Sequence, residues 1–361
     1  MTHETLLTWW SLHILNRRRY ELVKTAFGDL DTALASLDAS MMRELGMRED
    51  TISAVLERLE KFDLLKEKER LQTLGVSVCC IDDELYPARL REIADPPIFL
   101  SSIGDLTILH HPCIGVVGTR AMSPYGRRVV EAFVPAFARS GCITVSGLAR
   151  GVDTAVARDT MDAGGKTVAV LGHGLASVYP PMNARLAAKI VEQGGLLLSE
   201  FPLDMEPDIY TFPARNRIIA GVSMGTLVVE APRDSGAIIT ARLALEYGRD
   251  VFAVPGLMFD ENMEGCHRLI ADGHARLVTT PAEVLSEIGV MHTTDDTQRS
   301  MFLPQSDQQA AIYNVLSGMP QSADDISLRT ALGAASVATA LTLMELAGAA
   351  RNVGGGQWVR R

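Results

Sequence analysis

Between Ile114 and about Ile288, short unbroken apolar runs alternate with stretches of helical spacing. The runs are Ile114–Val117, Ile143–Ser146, Thr167–Leu171, Leu196–Ser199, Thr226–Glu230 and Val251–Val254. A strand buried on both faces needs continuous hydrophobicity, so these runs predict a parallel sheet covered by helices on each side. The intervening helices carry their own punctuation. Ser123 and Pro124 cap and open one that closes at Ser140 and Gly141. Others run from Val152 to Ala163, around Asn183 to Gln193, and from Ser235 to Tyr247. The pattern predicts a Rossmann-like, doubly wound α/β domain with a mostly parallel sheet.

The flanks read differently. Residues 1–72 are expected to form a small helical domain, with helical spacing from Leu6 to Tyr20 and from Asp31 to Leu37. Ser40–Gly46 running into Thr51–Leu59 fits two helices joined by a glycine turn, as in SAM-like or helix-hairpin-helix modules; a packing module without a ligand is the favoured reading of so unspecific a pattern. Gly75–Ile81 predicts a strand that opens the central domain, residues 73–290, with extended connection at Tyr86-Pro87 and Asp95-Pro96-Pro97. Residues 291–306 are polar and read as a linker. In residues 307–361, helices at Asp307–Leu316, Ala323–Leu332 and Ser336–Ala347 precede a glycine-turned hairpin, which predicts a winged helix. Its basic groups are Arg329, Arg351, Arg360 and Arg361, so a protein-contact or spacer role stands beside DNA reading.

Composition sets limits. With 361 residues, 47% of them hydrophobic and 22% charged, the central part can bury a core without metals or disulfides. The five cysteines form no CxxC pair and suit a reducing cytoplasm. No signal-peptide pattern opens the sequence, and no apolar run approaches the roughly 18 residues of a membrane span, so a cytoplasmic protein without membrane contact is expected. The histidines lack metal-ligand spacing; neither metal nor cofactor is expected. A net charge of −10 counts against a generally nucleic-acid-binding surface, which leaves the burden on particular arginines and backbone amides.

Those groups collect where an open parallel sheet binds ligands, beyond the carboxyl ends of its strands. Gly118-Thr119-Arg120 follows the first strand, Ser146-Gly147 through Arg150-Gly151 the second, and Gly172-His173-Gly174 the third. Ser235-Gly236 and Pro255-Gly256 follow later ones. Glycine admits an anion close to backbone N–H groups, helix N-termini add a favourable dipole, and Arg120 and Arg150 offer planar forks for phosphate oxygens. Neither the dinucleotide glycine fingerprint nor a Walker lysine is present, which argues against NAD or ATP chemistry. In Thr211–Gly221 a proline opens a helix that is expected to present Arg215, Asn216 and Arg217 in its first turn, with Ile218 and Ile219 in the core. Phe212 beside them could stack on a base; a capped surface helix with solvated arginines fits as well.

Val117-Gly-Thr-Arg120, Ser146–Asp153, Tyr179-Pro180, Ser199-Glu200, Phe212–Gly221, Ser235-Gly236, Val254-Pro-Gly256 and Gly265-Cys266 occur in order. Together they resemble the DprA (DNA-processing A, or Smf) family from about residue 85 to 285. The resemblance implies a non-enzymatic protein that binds and protects single-stranded DNA during natural transformation, loads the RecA recombinase, and works as a homodimer. It implies phosphate contacts at the amides of Gly118, Ser146 and Gly147 and at Arg120, with Arg215, Asn216 and Arg217 in the same groove and Phe212 stacking; the turns themselves add Thr119, Arg150, Gly151, Ser235 and Gly236 as candidate DNA or phosphate contacts. It also implies a self-association or RecA region spanning His267, Ile270 and Leu277. The chain departs from the family pattern at Ala157, where histidine is usual, at Ala214, where arginine is common, and at His173, where a small hydroxyl residue is frequent. Losing the cation at Ala214 is expected to lower the salt slope of binding by roughly one unit. The alternative is a nucleotide hydrolase on the related lysine decarboxylase-like scaffold. Its catalytic glutamate has no counterpart in Ser235–Thr240; Glu200 and Glu230 are the remaining strand-end carboxylates, read chiefly as orienting nearby arginines or amides.

Overall fold

The computed structural model describes residues 1–290 and 304–360. The chain forms two compact units, Met1–His292 and Thr293–Arg361. Most of the expected linker, 291–306, lies outside the described residues.

The first unit is built on a sheet of nine strands: β1 (Val76–Cys80), β2 (Phe99–Ile103), β3 (Cys113–Val117), β4 (Ile143–Ser146), β5 (Thr167–Val170), β6 (Leu196–Ser199), β7 (Gly225–Val228), β8 (Asp250–Ala253) and β9 (Arg276–Leu277). Their spatial order is β1-β2-β6-β5-β4-β3-β7-β8-β9. From β6 to β9 every pairing is parallel, while β1–β2 and β2–β6 are antiparallel. Every residue of β3, β4, β5, β6 and β7 is buried, as continuous apolar runs require. Helices Pro124–Arg139, Val152–Asp162, Ala184–Glu192 and Gly236–Glu246 connect them, and Ser123 caps the first by accepting from the amides of Tyr125 and Gly126.

The elements differ from the pattern-based expectation in several places, two of them instructive. The helical stretch from Leu6 to Tyr20 is broken into His3–Leu12 and Arg17–Phe27, because His13 turns left-handed (φ 51°) and Asn16 caps the second helix through the amide of Arg19. Strand β2 was hidden by its two serines. Both are buried, and the hydroxyl of Ser101 donates to the carbonyl of Ser199 at 3.2 Å. The helices Ala39–Glu44 and Glu49–Lys61 stand on either side of Gly46 (φ +74°), the turn glycine expected there. Buried side chains run without a gap from Trp9, Trp10 and Ile52 into Leu100 and Leu198 of the sheet, so the helical module shares one core with it.

The second unit is a winged helix. Helices Asp307–Val315, Ala323–Thr330 and Ala334–Leu346 pack around Ile312, Ile326, Val337 and Leu341. A three-stranded sheet is formed by β10 (Gln321–Ser322), β12 (Gln357–Arg360) and β11 (Ala350–Gly354), in that order. The third helix carries no lysine or arginine. Arg360 lies 5.2 Å over the ring of Tyr313 in the same unit.

Among the described residues no single helix is long and apolar enough to cross a membrane, no group of side chains could hold a metal ion, and all five cysteines are buried and free.

Candidate nucleic-acid interface

The order in which successive strands are added reverses at β3, which lies between β4 and β7 in the parallel part of the sheet. Beyond the carboxyl ends of these strands a cleft of about 940 Å³ opens, bordered by Gly118, Thr119, Arg120, Ser235 and Gly236, with Phe212, Arg215 and Asn216 reaching it from the helix Thr211–Val222. A second cavity of about 330 Å³ adjoins it, sharing Arg120, Phe212 and Arg215 and adding Gly147 and Arg150. Two of the glycines are required by close approach. A Cβ on Gly118 would lie 2.6 Å from Val152, and one on Gly151 (φ +76°) would lie 2.4 Å from the carbonyl oxygen of Thr119.

The loop after β4 holds a charge of its own. The buried Asp153 carboxylate accepts from the amides of Gly147 and Ala149, each at 3.2 Å. The guanidinium of Arg215, also buried, donates to the carbonyls of Gly147 (2.8 Å) and Val170 and to the side chain of Asn216 (3.2 Å). Burial lowers the Arg215 pKa to about 10, partly offset by Asp153, which leaves the group a cation at neutral pH. Burial pushes the Asp153 carboxyl upward, and Arg215 and the amide donors pull it back. Leu148 sits between them at φ 56°, held by Asn183, whose side-chain amide donates to its carbonyl at 2.9 Å. The Gly147 amide, expected to meet an external phosphate, donates to the protein's own carboxylate, and Arg215, although it borders both cavities, donates to internal carbonyls. The Ser146 hydroxyl donates inward to Val116 at 2.8 Å, and the Thr119 amide donates to the Glu230 carbonyl at 2.7 Å.

The exposed cations of the smaller cavity are Arg120 and Arg150, while exposed Arg233 lines the larger cleft. Arg120 stands 5.5 Å over the ring of Phe212, whose other neighbour is the ring of Tyr179 at 5.8 Å. Charge divides this region in two. Asp234, Glu261 and Glu264 gather toward the β7–β8 side of the larger cleft, where Arg233 faces Glu264 at 3.9 Å. The smaller cavity is lined by arginines, rings and prolines without a carboxylate. Tyr179 and Met182, which line it, carried no role in the sequence reading; the Tyr-Pro pair among segments rich in glycine was the available signal.

Arg217 is not brought into this groove. It pairs with buried Glu200, lies 3.8 Å from Asp95, and lines a separate cavity of about 280 Å³ against the loop Ile14–Asn16. Residues two apart on a helix point about 200° apart, so Arg215 and Arg217 cannot face one groove. Pro213 is the third residue of the helix, so its first turn is Thr211–Ala214, and the arginines come later. Ala214 lines the Arg217 cavity, so the cation expected to be lost from the groove would not have stood there. Ala157 is packed in the core. Glu230 accepts from the amide of Ser123 at 3.0 Å and from its hydroxyl, which braces the helix start behind Arg120. His267 contacts the Pro255-Gly256 turn through Gly256, Ile270 is half-buried, and Leu277 is exposed on the edge strand β9, all away from the arginine cavity.

A doubly wound sheet with an arginine- and ring-lined cavity at its strand ends, followed by a winged helix, is the plan of a DNA-processing protein. Residues 77–289 match the DNA recombination-mediator protein A family, and residues 303–356 match the DprA winged helix domain. The chain belongs to this DprA/Smf family. It is 42% identical to Protein Smf of Escherichia coli over 281 residues, covering 76% of this chain and 75% of that protein. It is 45% identical to DNA processing protein DprA of Streptococcus pneumoniae over 205 residues, covering 57% and 72%. The X-ray structure of the S. pneumoniae protein superposes with a TM-score of 0.67 at 36% identity, over 80% of this chain and 98% of that one. A Helicobacter pylori DNA processing protein A, described for its single-stranded DNA binding mode, superposes with a TM-score of 0.54 at 27% identity, over 59% and 95%.

Proposed function

We propose that this chain binds single-stranded DNA in the cavity between the β3, β4 and β5 loops, protects it, and delivers it to a RecA-type recombinase during DNA uptake and recombination, without catalysing a reaction. The observation that carries this reading is the pairing of two exposed arginines with two aromatic rings in a cavity without a carboxylate. Arg120 and Arg150 supply the phosphate forks, and rings supply stacking that tolerates any base. The single-strand binding of the H. pylori relative supports it. An acidic chain can act this way because phosphate binding follows the local field, and the smaller cavity holds arginines without a carboxylate. Against the hydrolase alternative, Glu200 and Glu230, the strand-end carboxylates that reading would need, are engaged with Arg217 and Ser123. A homodimer or recombinase contact would use the edge strand β9 with Leu277 and Ile270. The third helix of the winged unit, lacking cations, suits a protein contact or spacer better than duplex reading.

Equilibrium binding of the full chain to labelled single-stranded and duplex oligonucleotides of equal length tests the reading. Single strands are expected to bind more tightly, with little dependence on sequence, at physiological salt. Preference for duplex, or no binding of either, would overturn it.

A further inference from the structure

We infer that Tyr179 is a base-stacking residue, presenting the open ring face on which an unpaired nucleobase rests beside Phe212. This rests on the single-strand reading above and assigns a contact that the sequence motifs did not.

Phe212 by itself is poorly placed to receive a base. It is half-buried, and Arg120 at 5.5 Å and Tyr179 at 5.8 Å already crowd its ring. A base inserted between two rings needs about 7 Å, two carbon–carbon contact distances, and the Phe212–Tyr179 pair is closer than that and tilted by 41°. The pair therefore acts as a platform, with the free face on its outer member. Tyr179 is 45% exposed and borders both cavities, so a strand leaving the arginine cavity passes its ring.

The backbone that carries this ring is fixed from both sides. The Tyr179 amide donates to Nε2 of buried His173, whose Nδ1–H donates to the Gly174 carbonyl at 2.8 Å. Only a neutral imidazole can accept at Nε2, and burial together with the charge of Arg215 keeps the His173 pKa below its usual value. Beyond Pro180 and Pro181, buried Asn183 donates to the Leu148 carbonyl (2.9 Å) and the Thr154 hydroxyl (2.8 Å) of the neighbouring loop. An exposed aromatic ring on a braced, proline-stiffened segment loses little entropy when it stacks, which is the requirement for a binding platform. Arg150 in the same cavity lies within reach of the accompanying phosphate.

The test compares oligo-dT with an oligonucleotide of equal length carrying a run of abasic sites, using the full chain and its Tyr179→Leu and Tyr179→Phe variants. Wild type is expected to prefer oligo-dT. Tyr179→Leu should lose on the order of ten- to a hundredfold in affinity for oligo-dT and most of the preference over the abasic strand, with an unchanged salt slope. Tyr179→Phe should retain both. The inference is overturned if Tyr179→Leu binds oligo-dT as wild type does, or if it loses both strands equally. Wild type failing to bind either strand would instead remove the single-strand reading, and the stacking role with it.

Discussion

Asp153→Ala is expected to lower stability by about 2–4 kcal/mol, because it removes the buried carboxylate that accepts from two loop amides and whose charge favours the buried Arg215 cation from beyond ion-pair distance. For a unit of this size that is a fall in Tm on the order of 10 °C. The same change releases the amides of Gly147 and Ala149, which no longer have an acceptor. Asp153→Asn should cost less, since both N–H groups donate to one carboxylate oxygen, Oδ2, which the amide oxygen can replace. Adding Arg215→Met to Asp153→Ala should recover part of the loss, because removing both buried charges spares the penalty of leaving one. Thermal melting of the three variants checks this. A Tm for Asp153→Ala within a degree or two of wild type would mean that the carboxylate does not balance Arg215.

Gly151→Ala is expected to damage both fold and groove. Gly151 adopts φ +76° and ψ −123°, a region that side chains adopt only at a cost of about 1–3 kcal/mol. Its added Cβ would also meet backbone, 2.4 Å from the Thr119 carbonyl oxygen and 2.7 Å from the carbonyl group of Arg120. Overpacking of this kind adds roughly 1–3 kcal/mol, and the relief available is to move the Thr119–Arg120 turn. Melting temperature and single-strand affinity should therefore fall together. Gly236→Ala is the control, since a methyl group there would have nothing within 4 Å and the residue opens a helix. Its stability should match wild type. Equal behaviour of the two variants would remove the steric account of the Gly151 turn.

How far the sequence could lead is clear from particular residues. Strands β3 to β8 were legible because their buried runs are dominated by apolar and β-branched residues, with the exposed Asp250 only at the start of β8. β2 was not, because it carries two buried serines, of which Ser101 donates its hydroxyl to the Ser199 carbonyl, and such polar residues read as a loop. The glycine turns marked the right end of the sheet. What they could not reveal is whether a charged side chain points out or in. Arg215 looks like a binding group in the sequence, whereas its guanidinium donates to internal carbonyls beside the loop that Asp153 holds. The separation of Arg215 from Arg217 was available from helical periodicity alone, and the partner of Arg217, Glu200, lay at the end of β6. The role of Tyr179 depends on its distance to Phe212, a contact between segments far apart in the chain.

The central claim is that exposed Arg120 and Arg150, rather than the buried or diverted arginines, hold the strand. Its most direct test is the salt dependence of oligo-dT binding by wild type, Arg120→Ala, Arg150→Ala and Arg217→Ala, each measured well below its melting temperature. The slope of log K against log salt should shrink by roughly 0.7 for each of the first two variants, as expected for one lost phosphate contact on a single strand, and stay at the wild-type value for Arg217→Ala. A slope that falls for Arg217→Ala and holds for Arg120→Ala and Arg150→Ala would contradict the account.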